Sequence, residues 1–338
     1  MNQSNKLLIL TEAGEGIGYG HYSRCSALKS CFEEEMGVQV RILLDVKGAQ
    51  TSFFNDVELA DWPTRLHELN QKREYSHVLI DSYLAPASVF DVIKNQFTKV
   101  VALDDYGRID EGPDLIINPN IFGNEIQYTC PAVGGPDYVI LRSSFRGETR
   151  KHTVSDRVQS VLITLGGSDF RGLMPRLIAH IRNCAPKVHV HAVAGNKEYA
   201  SKLVALGLFG IDMTVHGFCD EITMKELMLS SDLAISACGQ TLHELAWLGV
   251  PTVGVCVAND QVLNMKSYVA NSFLEKELYY DQPQFDAEFI DSVHALMSSK
   301  KRQEKSNSIR DFATNQGVQN ICDEILNGIT ATGFSKQV

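Results

Sequence analysis

Short apolar runs recur along the chain, each followed by a longer stretch in which apolar positions return every three or four residues. Continuous apolar runs bounded by polar turns read as strands buried on both faces, and the longer stretches as amphipathic helices. The alternation is that of βα units around parallel sheets. In the first half the predicted strands are 6–11 (KLLILT), 38–44 (VQVRILL), 77–81 (HVLID), 99–103 (KVVAL), 114–118 (DLIIN) and 138–142 (YVILR). The segment from Ser143 to Asp156 is polar, contains Gly147 and reads as a linker. The pattern restarts with 158–165 (VQSVLITL), 187–194 (KVHVHAVA), 211–215 (IDMTV), 232–236 (DLAIS) and 251–257 (PTVGVCV). The expected fold class is therefore α/β, with two doubly wound halves. The tail predicts helices over 301–313 and 317–328, with Gly328 as a C-terminal stop.

Length supports two halves, because 338 residues exceed what one core usually holds. With 44% hydrophobic and 21% charged residues, the composition is that of a globular protein. The net charge of -10 argues against nucleic acid as a partner. A phosphate ligand must then be met locally, by backbone N–H groups or one or two side chains. The run Lys6–Leu10 is too short, and too soon followed by Glu12 and Glu15, for a signal peptide. No stretch reaches the roughly 18 apolar residues of a membrane span. Eight cysteines without a C-x-x-C pair read as the reduced, mostly buried thiols of a cytoplasmic protein, with neither a disulfide frame nor a zinc site.

In open parallel sheets ligands bind beyond the carboxyl ends of strands, which directs attention to four loops. The first is Gly14-Glu15-Gly16-Ile17-Gly18-Tyr19-Gly20-His21, ahead of a helix carrying Cys25, Leu28 and Phe32 at helical spacing. It lacks both the G-x-G-x-x-G dinucleotide pattern and the G-K-[ST] of a P-loop. What remains is a glycine loop ending in a histidine at a helix N-terminus, a place that suits an anion or a neutral base. The second loop, Asp104-Asp105-Tyr106-Gly107-Arg108, closes a buried strand with adjacent carboxylates. Adjacent side chains diverge, so at most one faces a site, and an Asx turn or helix cap competes with that role. Asp105 is taken as the catalytic candidate. The third, Gly166-Gly167-Ser168-Asp169, opens a helix, with Ser168 or Asp169 as its cap. The fourth runs from Ser236 through Cys238-Gly239-Gln240-Thr241 to Glu244, and a later strand ends Ala258-Asn259-Asp260-Gln261. Gly239 lets the N–H groups of Gln240 and Thr241 approach a diphosphate. Glu244, one turn further in, suits the hydroxyls of a ribose. His189 and His191 share a strand face, but without a third ligand a packed or solvated face is expected rather than a metal site.

These motifs, Gly18-x-Gly20-His21-x-x-Arg24-Cys25, Asp104-Asp105, Gly166-Gly167-Ser168-Asp169, Ser236–Glu244 and Ala258–Gln261, occur in the order seen in a known family. The chain resembles the UDP-sugar hydrolases of pseudaminic acid biosynthesis and the related spore-coat polysaccharide proteins, over roughly residues 5–275. The resemblance implies a GT-B fold of two Rossmann-like domains facing a cleft: 1–145 with the catalytic histidine, 155–312 for the nucleotide, and a helix at 315–330 crossing back to the first. It implies release of UDP from a UDP-linked amino or deoxy sugar by water, without a cofactor or metal. His21 would be the base, with Asp105 in the catalytic set. Gly18, Tyr19, Gly20, Arg24, Gly167, Ser168, Asp169, Cys238, Gly239, Gln240, Thr241, Glu244, Asn259, Asp260 and Gln261 would bind substrate. Asp260 departs from the family, which has Asn before the Gln, and Cys238 and Gln240 also alter the helix start. A glycosyltransferase on the same fold and a non-catalytic nucleotide-sugar binding protein are the alternatives. Sugar, nucleobase and oligomeric state stay open.

Overall fold

Runs rich in Leu, Ile and Val bury both faces of two all-parallel sheets in the computed structural model. It describes residues 6–14, 16–48, 54, 56–109, 111–146, 152–167, 169–207, 212–309 and 314–327. Ser168, Gly147 and Gly328 lie outside the described residues. By contacts the chain divides into two units, Met1–Ile17, His21–Ile140 and Gln316–Val338 in the first, and Gly18–Gly20 with Leu141–Asn315 in the second.

The first unit holds strands β1 (Lys6–Gly14), β2 (Gln39–Lys47), β3 (Glu58–Leu59), β4 (His77–Asp81), β5 (Lys99–Leu103), β6 (Leu115–Asn118) and β7 (Ala132–Gly134). Their spatial order is β3-β2-β1-β4-β5-β6-β7. Helices α1 (Gly20–Glu34) and α2 (Ser88–Ile93) follow β1 and β4. Successive residues of β1 point to opposite faces. Leu7 and Ile9 pack with Leu28 and Phe32 of α1, while Leu8 and Leu10 pack with Trp62 and with Val89, Phe90 and Ile93 of α2.

In the second unit α3 (Ser143–Arg146) precedes β8 (Ser160–Thr164), α4 (Met174–Cys184), β9 (His189–Val193), α5 (Lys197–Ala205) and β10 (Asp212–His216). Then come α6 (Glu221–Ser230), β11 (Leu233–Ala237), α7 (Gln240–Leu248), β12 (Thr252–Val255), α8 (Val262–Ala270), α9 (Phe285–Leu296) and α10 (Ser299–Ser308). The sheet order is β10-β9-β8-β11-β12. Val161 and Ile163 of β8 pack on Leu177, Ile178 and Ile181 of α4 and on Phe285, Phe289 and Val293 of α9. In both sheets the strand order reverses beside the first strand, between β1 and β4 and between β8 and β11. A reversal of this kind opens a crevice at the carboxyl ends of the two strands.

The strand expected at 138–142 does not form. Val139, Ile140 and Leu141 are buried but irregular, and the last strand of the first sheet is β7, paired with β6. The reason lies in the last helix, α11 (Gly317–Asn327). A Cβ on Gly317 would come within 2.1 Å of the Val139 carbonyl oxygen, so helix backbone covers the place a neighbouring strand would need. From α11, Val318, Ile321, Cys322 and Ile325 are fully buried in the core of the first unit. Lys99 Nζ donates to the Glu324 carbonyl at 2.5 Å, and Asn320 Nδ2 to that of Asp137 at 2.8 Å. Ile321→Ala should therefore cost about 2–5 kcal/mol, measured by urea denaturation. A loss below about 0.5 kcal/mol would show that α11 contributes little to this core.

The eight cysteines are free, and Cys25, Cys31, Cys238, Cys256 and Cys322 are buried.

Candidate functional site

β1 and β4 flank the reversal, with Thr11 opposite Asp81 in register, so whatever follows β1 meets the end of β4. After β1 the chain turns on Gly16 and Gly18 at φ +79° and +81°, a conformation that side chains with a Cβ avoid. α1 then delivers His21 and Arg24, one turn apart, onto its buried face.

Nδ1 of His21 lies 2.6 Å from Oδ1 of Asp81. Nη2 of Arg24 also approaches Nδ1, at 3.3 Å, but one nitrogen cannot donate and accept at once. The closer carboxylate decides the tautomer: Nδ1 carries the proton and Nε2 keeps its lone pair. Among the described residues Nε2 takes part in no hydrogen bond. The Tyr83 ring stands edge-on to the imidazole at 4.3 Å between centroids.

Arg24 binds two carboxylates at once. Nε and Nη2 donate to Asp81 at 2.7 and 2.5 Å, and Nη1 and Nη2 donate to Asp105 at 2.6 and 2.9 Å. Asp105 further accepts from the Tyr83 hydroxyl at 2.5 Å and from Asn120 Nδ2 at 3.0 Å. Burial alone would raise both carboxyls. The Arg24 guanidinium outweighs it, helped at Asp81 by His21, and holds both below the usual carboxylate range. Burial and then Asp81 push the Cys25 thiol well up, which makes Cys25 a packing group rather than a nucleophile.

The paired aspartates divide the two roles weighed for them. Asp104 accepts from the N–H groups of Tyr106 at 3.4 Å and Ile109 at 3.0 Å, an Asx-type turn. Asp105 alone enters the network around His21. Tyr83 is held there by Glu12, a buried carboxylate accepting from the Ser82 hydroxyl at 2.5 Å and the Tyr83 N–H at 2.6 Å.

In the second unit the loops at the reversal are those after β8 and β11. Gly166 sits at φ +87° and Gly167 is half-buried. Asp169 accepts from the N–H groups of Leu173 and Met174 at 2.8 and 2.7 Å and from the Tyr199 hydroxyl at 2.6 Å, which seats the start of α4. After β11, Cys238 is fully buried and Gly239 is the N-cap of α7, an extended residue without a side chain to cap the helix. Asn264 Nδ2 holds the Cys238 carbonyl at 2.8 Å. Gln261 stands beside this loop, its Nε2 3.7 Å from where a Gly239 Cβ would be. Asn259, Asp260 and Gln261 form a single 3-10 turn, with Asn259 exposed.

Several residues singled out from the sequence have protein partners. Arg24, expected against substrate, lies between Asp81 and Asp105. Glu244 is held by Arg142, through Nε at 2.5 Å and Nη2 at 2.6 Å. Tyr19 is half-buried, and burial raises its phenol. Sequence reasoning passed over Asp81, Tyr83, Asn120, Glu12 and Arg142. Asp81 had a signal, being the last residue of a predicted strand, but its neighbour β1 was not evident. His189, His191 and His216 cluster on β9 and β10. His189 pairs with Asp212 at 3.0 Å, and His191 Nδ1 lies 3.2 Å from His216 Nε2. Among the described residues no group of three or more His, Cys, Asp or Glu is arranged to hold a metal ion, and no helix is long and apolar enough to cross a membrane.

Residues 160–324 match the glycosyltransferase family 28 C-terminal domain. A structure of S. aureus MnaA with UDP superposes at a TM-score of 0.68 and 12% identity, covering 97% of this chain and 99% of that one. The chain has a glycosyltransferase-like GT-B fold. Spore coat polysaccharide biosynthesis protein SpsG of Bacillus subtilis (strain 168) is 26% identical over 282 residues, which is 77% of this GT-B chain and 80% of SpsG. A Helicobacter pylori protein named pseudaminic acid cytidylyltransferase and UDP-2,4-diacetamido-2,4,6-trideoxy-beta-L-altropyranose hydrolase is 22% identical over 266 residues. That match covers 74% of this chain and 44% of the H. pylori protein. The family 28 match takes in the Gly239 loop and Glu244 but not His21.

Proposed function

We propose that this GT-B protein is a cytoplasmic nucleotide-sugar hydrolase. It would release UDP from a UDP-linked amino or deoxy sugar of the pseudaminic acid kind, on the way to a surface polysaccharide. One observation carries the proposal: His21 Nδ1 lies 2.6 Å from Asp81 Oδ1, a contact that directs a ring proton to Nδ1, and Nε2 has no hydrogen bond among the described residues. An imidazole so oriented takes a proton from water as the water oxygen bonds to the anomeric carbon, and Asp81 stabilises the imidazolium that forms. The bond from the anomeric carbon to the diphosphate oxygen breaks in the same displacement, and UDP keeps the electron pair. The N-terminus of α7 at Gly239, Gln240 and Thr241 suits the departing diphosphate. Glu244 is assigned the ribose hydroxyls, Gln261 the sugar or phosphate side, and the loops at Gly18–Gly20 and Gly167–Asp169 the rest of the substrate. The printed names of the H. pylori and B. subtilis relatives, a UDP-sugar hydrolase and a polysaccharide biosynthesis protein, support this choice of reaction and pathway class. The UDP in the MnaA structure supports the choice of nucleotide.

The test is release of UDP from a panel of UDP-sugars by the purified chain. At least one amino or deoxy sugar should be hydrolysed, and His21→Ala should reduce release to background. No release from any donor, or an undiminished rate in His21→Ala, would end the proposal.

Transfer to an acceptor is the second reading, favoured by the family 28 match and by a surface feature. Leu84 and Tyr106, on the loops after β4 and β5 that flank Tyr83, are 52% and 37% exposed and suit an acceptor with an apolar body. If an added acceptor captures the sugar faster than water does, transfer replaces hydrolysis.

A further inference from the structure

Glu244, assigned above to the ribose hydroxyls, already has an occupant. Arg142 meets both of its oxygens with parallel donors, Nε to Oε1 at 2.5 Å and Nη2 to Oε2 at 2.6 Å. The Glu244 side chain is 1% exposed and that of Arg142 20%, so the guanidinium is the more outward of the pair. Cζ of Arg142 lies 5.3 Å from the centre of the Phe145 ring, which supports the guanidinium from the side. Neither oxygen of Glu244 can receive a ligand from solvent while this pair is closed.

We propose that Arg142 is a specificity-determining latch, resting on the assignment of Glu244 to the ribose. In the unliganded protein it fills the edge of Glu244 that a ribonucleoside diphosphate claims, and the ribose displaces it. The chemistries match donor for donor. The guanidinium presents two N–H groups to two carboxylate oxygens, and a 2′,3′-diol presents two O–H groups to the same two. A sugar with one hydroxyl would leave a buried carboxylate oxygen unsatisfied, a loss that burial makes costly. Glu244 lies one turn into α7, whose start at Gly239 is the proposed diphosphate site, so one ligand reaches both. The latch sets which nucleotides open the site and weakens all of them by the stability of the closed pair.

Calorimetry with UDP, 2′-deoxy-UDP and inorganic diphosphate, on wild type and Arg142→Ala, tests this. Arg142→Ala should bind UDP about tenfold more tightly and inorganic diphosphate within about twofold of wild type. Wild type should bind 2′-deoxy-UDP at least about tenfold more weakly than UDP. Unchanged or weaker UDP binding by Arg142→Ala would overturn the latch, because Arg142 would then be supporting Glu244 rather than competing for it. Should that variant fail to fold, a crystal structure of the wild type with UDP decides. The expected result is the diol on Glu244 with Arg142 displaced, and bound UDP beside an intact Arg142–Glu244 pair overturns the latch and the ribose assignment of Glu244 but leaves the nucleotide-sugar function standing. A wild type that binds no UDP overturns the nucleotide-sugar function and the latch with it.

Discussion

Asp81→Asn should slow UDP release about a thousandfold while the KM for the sugar nucleotide stays near that of the wild type. The asparagine cannot serve both neighbours of Asp81. Oδ1 now meets His21 Nδ1 and Arg24 Nη2, and Oδ2 meets Arg24 Nε and the Cys25 thiol. With the amide oxygen toward His21, the amide NH2 faces the Arg24 Nε–H, donor against donor. With the oxygen toward Arg24 Nε, the NH2 takes the place of Oδ1, where it faces Arg24 Nη2 donor against donor and obliges His21 Nδ1 to accept. In that state the ring proton sits on Nε2, where the lone pair is needed, and in the other the neutral amide no longer stabilises the imidazolium. Asp81 is thus a positioning residue, and its loss should cost less than that of His21, through which it acts. Steady-state kinetics, with thermal melting to confirm folding, decide the matter. A kcat within about threefold of the wild type would remove Asp81 from the mechanism.

Arg24→Ala should destabilise the protein by about 3–5 kcal/mol at pH 7, because it leaves two buried carboxylates without their cation. The Arg24 side chain is 7% exposed and that of Asp81 is fully buried, so water cannot replace the guanidinium without opening the core. The pH dependence carries the sharper sign. In the wild type Asp81 and Asp105 have folded values below their unfolded ones. Their stabilisation is complete above the unfolded carboxylate value near about 4 and is lost as pH falls through the lowered folded values. Between pH 7 and 5 these two groups therefore leave wild-type stability flat. In Arg24→Ala burial, the largest influence on both carboxyls, is opposed only by His21 and neutral donors, so both rise and the folded state binds protons more readily than the unfolded one. The variant should then gain stability on going from pH 7 to pH 5. Urea denaturation at the two pH values measures it, and a variant as stable as the wild type at pH 7 would show that the Arg24 network contributes little.

The α/β class was legible because it rests on local patterning. A run such as HVLID at 77–81 must be buried on both faces, and the amphipathic stretches between such runs cover those faces. The observed β4 and β5 coincide with the runs at 77–81 and 99–103. The same logic misread 138–142, since three apolar residues can be buried under a helix as well as in a ladder, and only the approach of Gly317 to Val139 separates the two. His21 stood out because it ends a run of closely spaced glycines directly ahead of a helix. Its partner did not. Asp81 lies 60 residues away and reaches His21 only because β4, not β2 alone, is laid beside β1. Arg24 and Glu244 were legible as charged groups near the starts of helices that follow strands but not as members of pairs, whose partners Asp105 and Arg142 lie 81 and 102 residues away. By itself, then, the sequence determined most of the segments that become strands and helices, and placed polar groups in the loops that follow them, because burial periodicity and glycine conformation act over a few residues. Which carboxylate meets which cation was decided by the tertiary structure, because strand order is settled by how whole faces pack, and charges far apart in the chain become partners only after that packing has excluded water from around them.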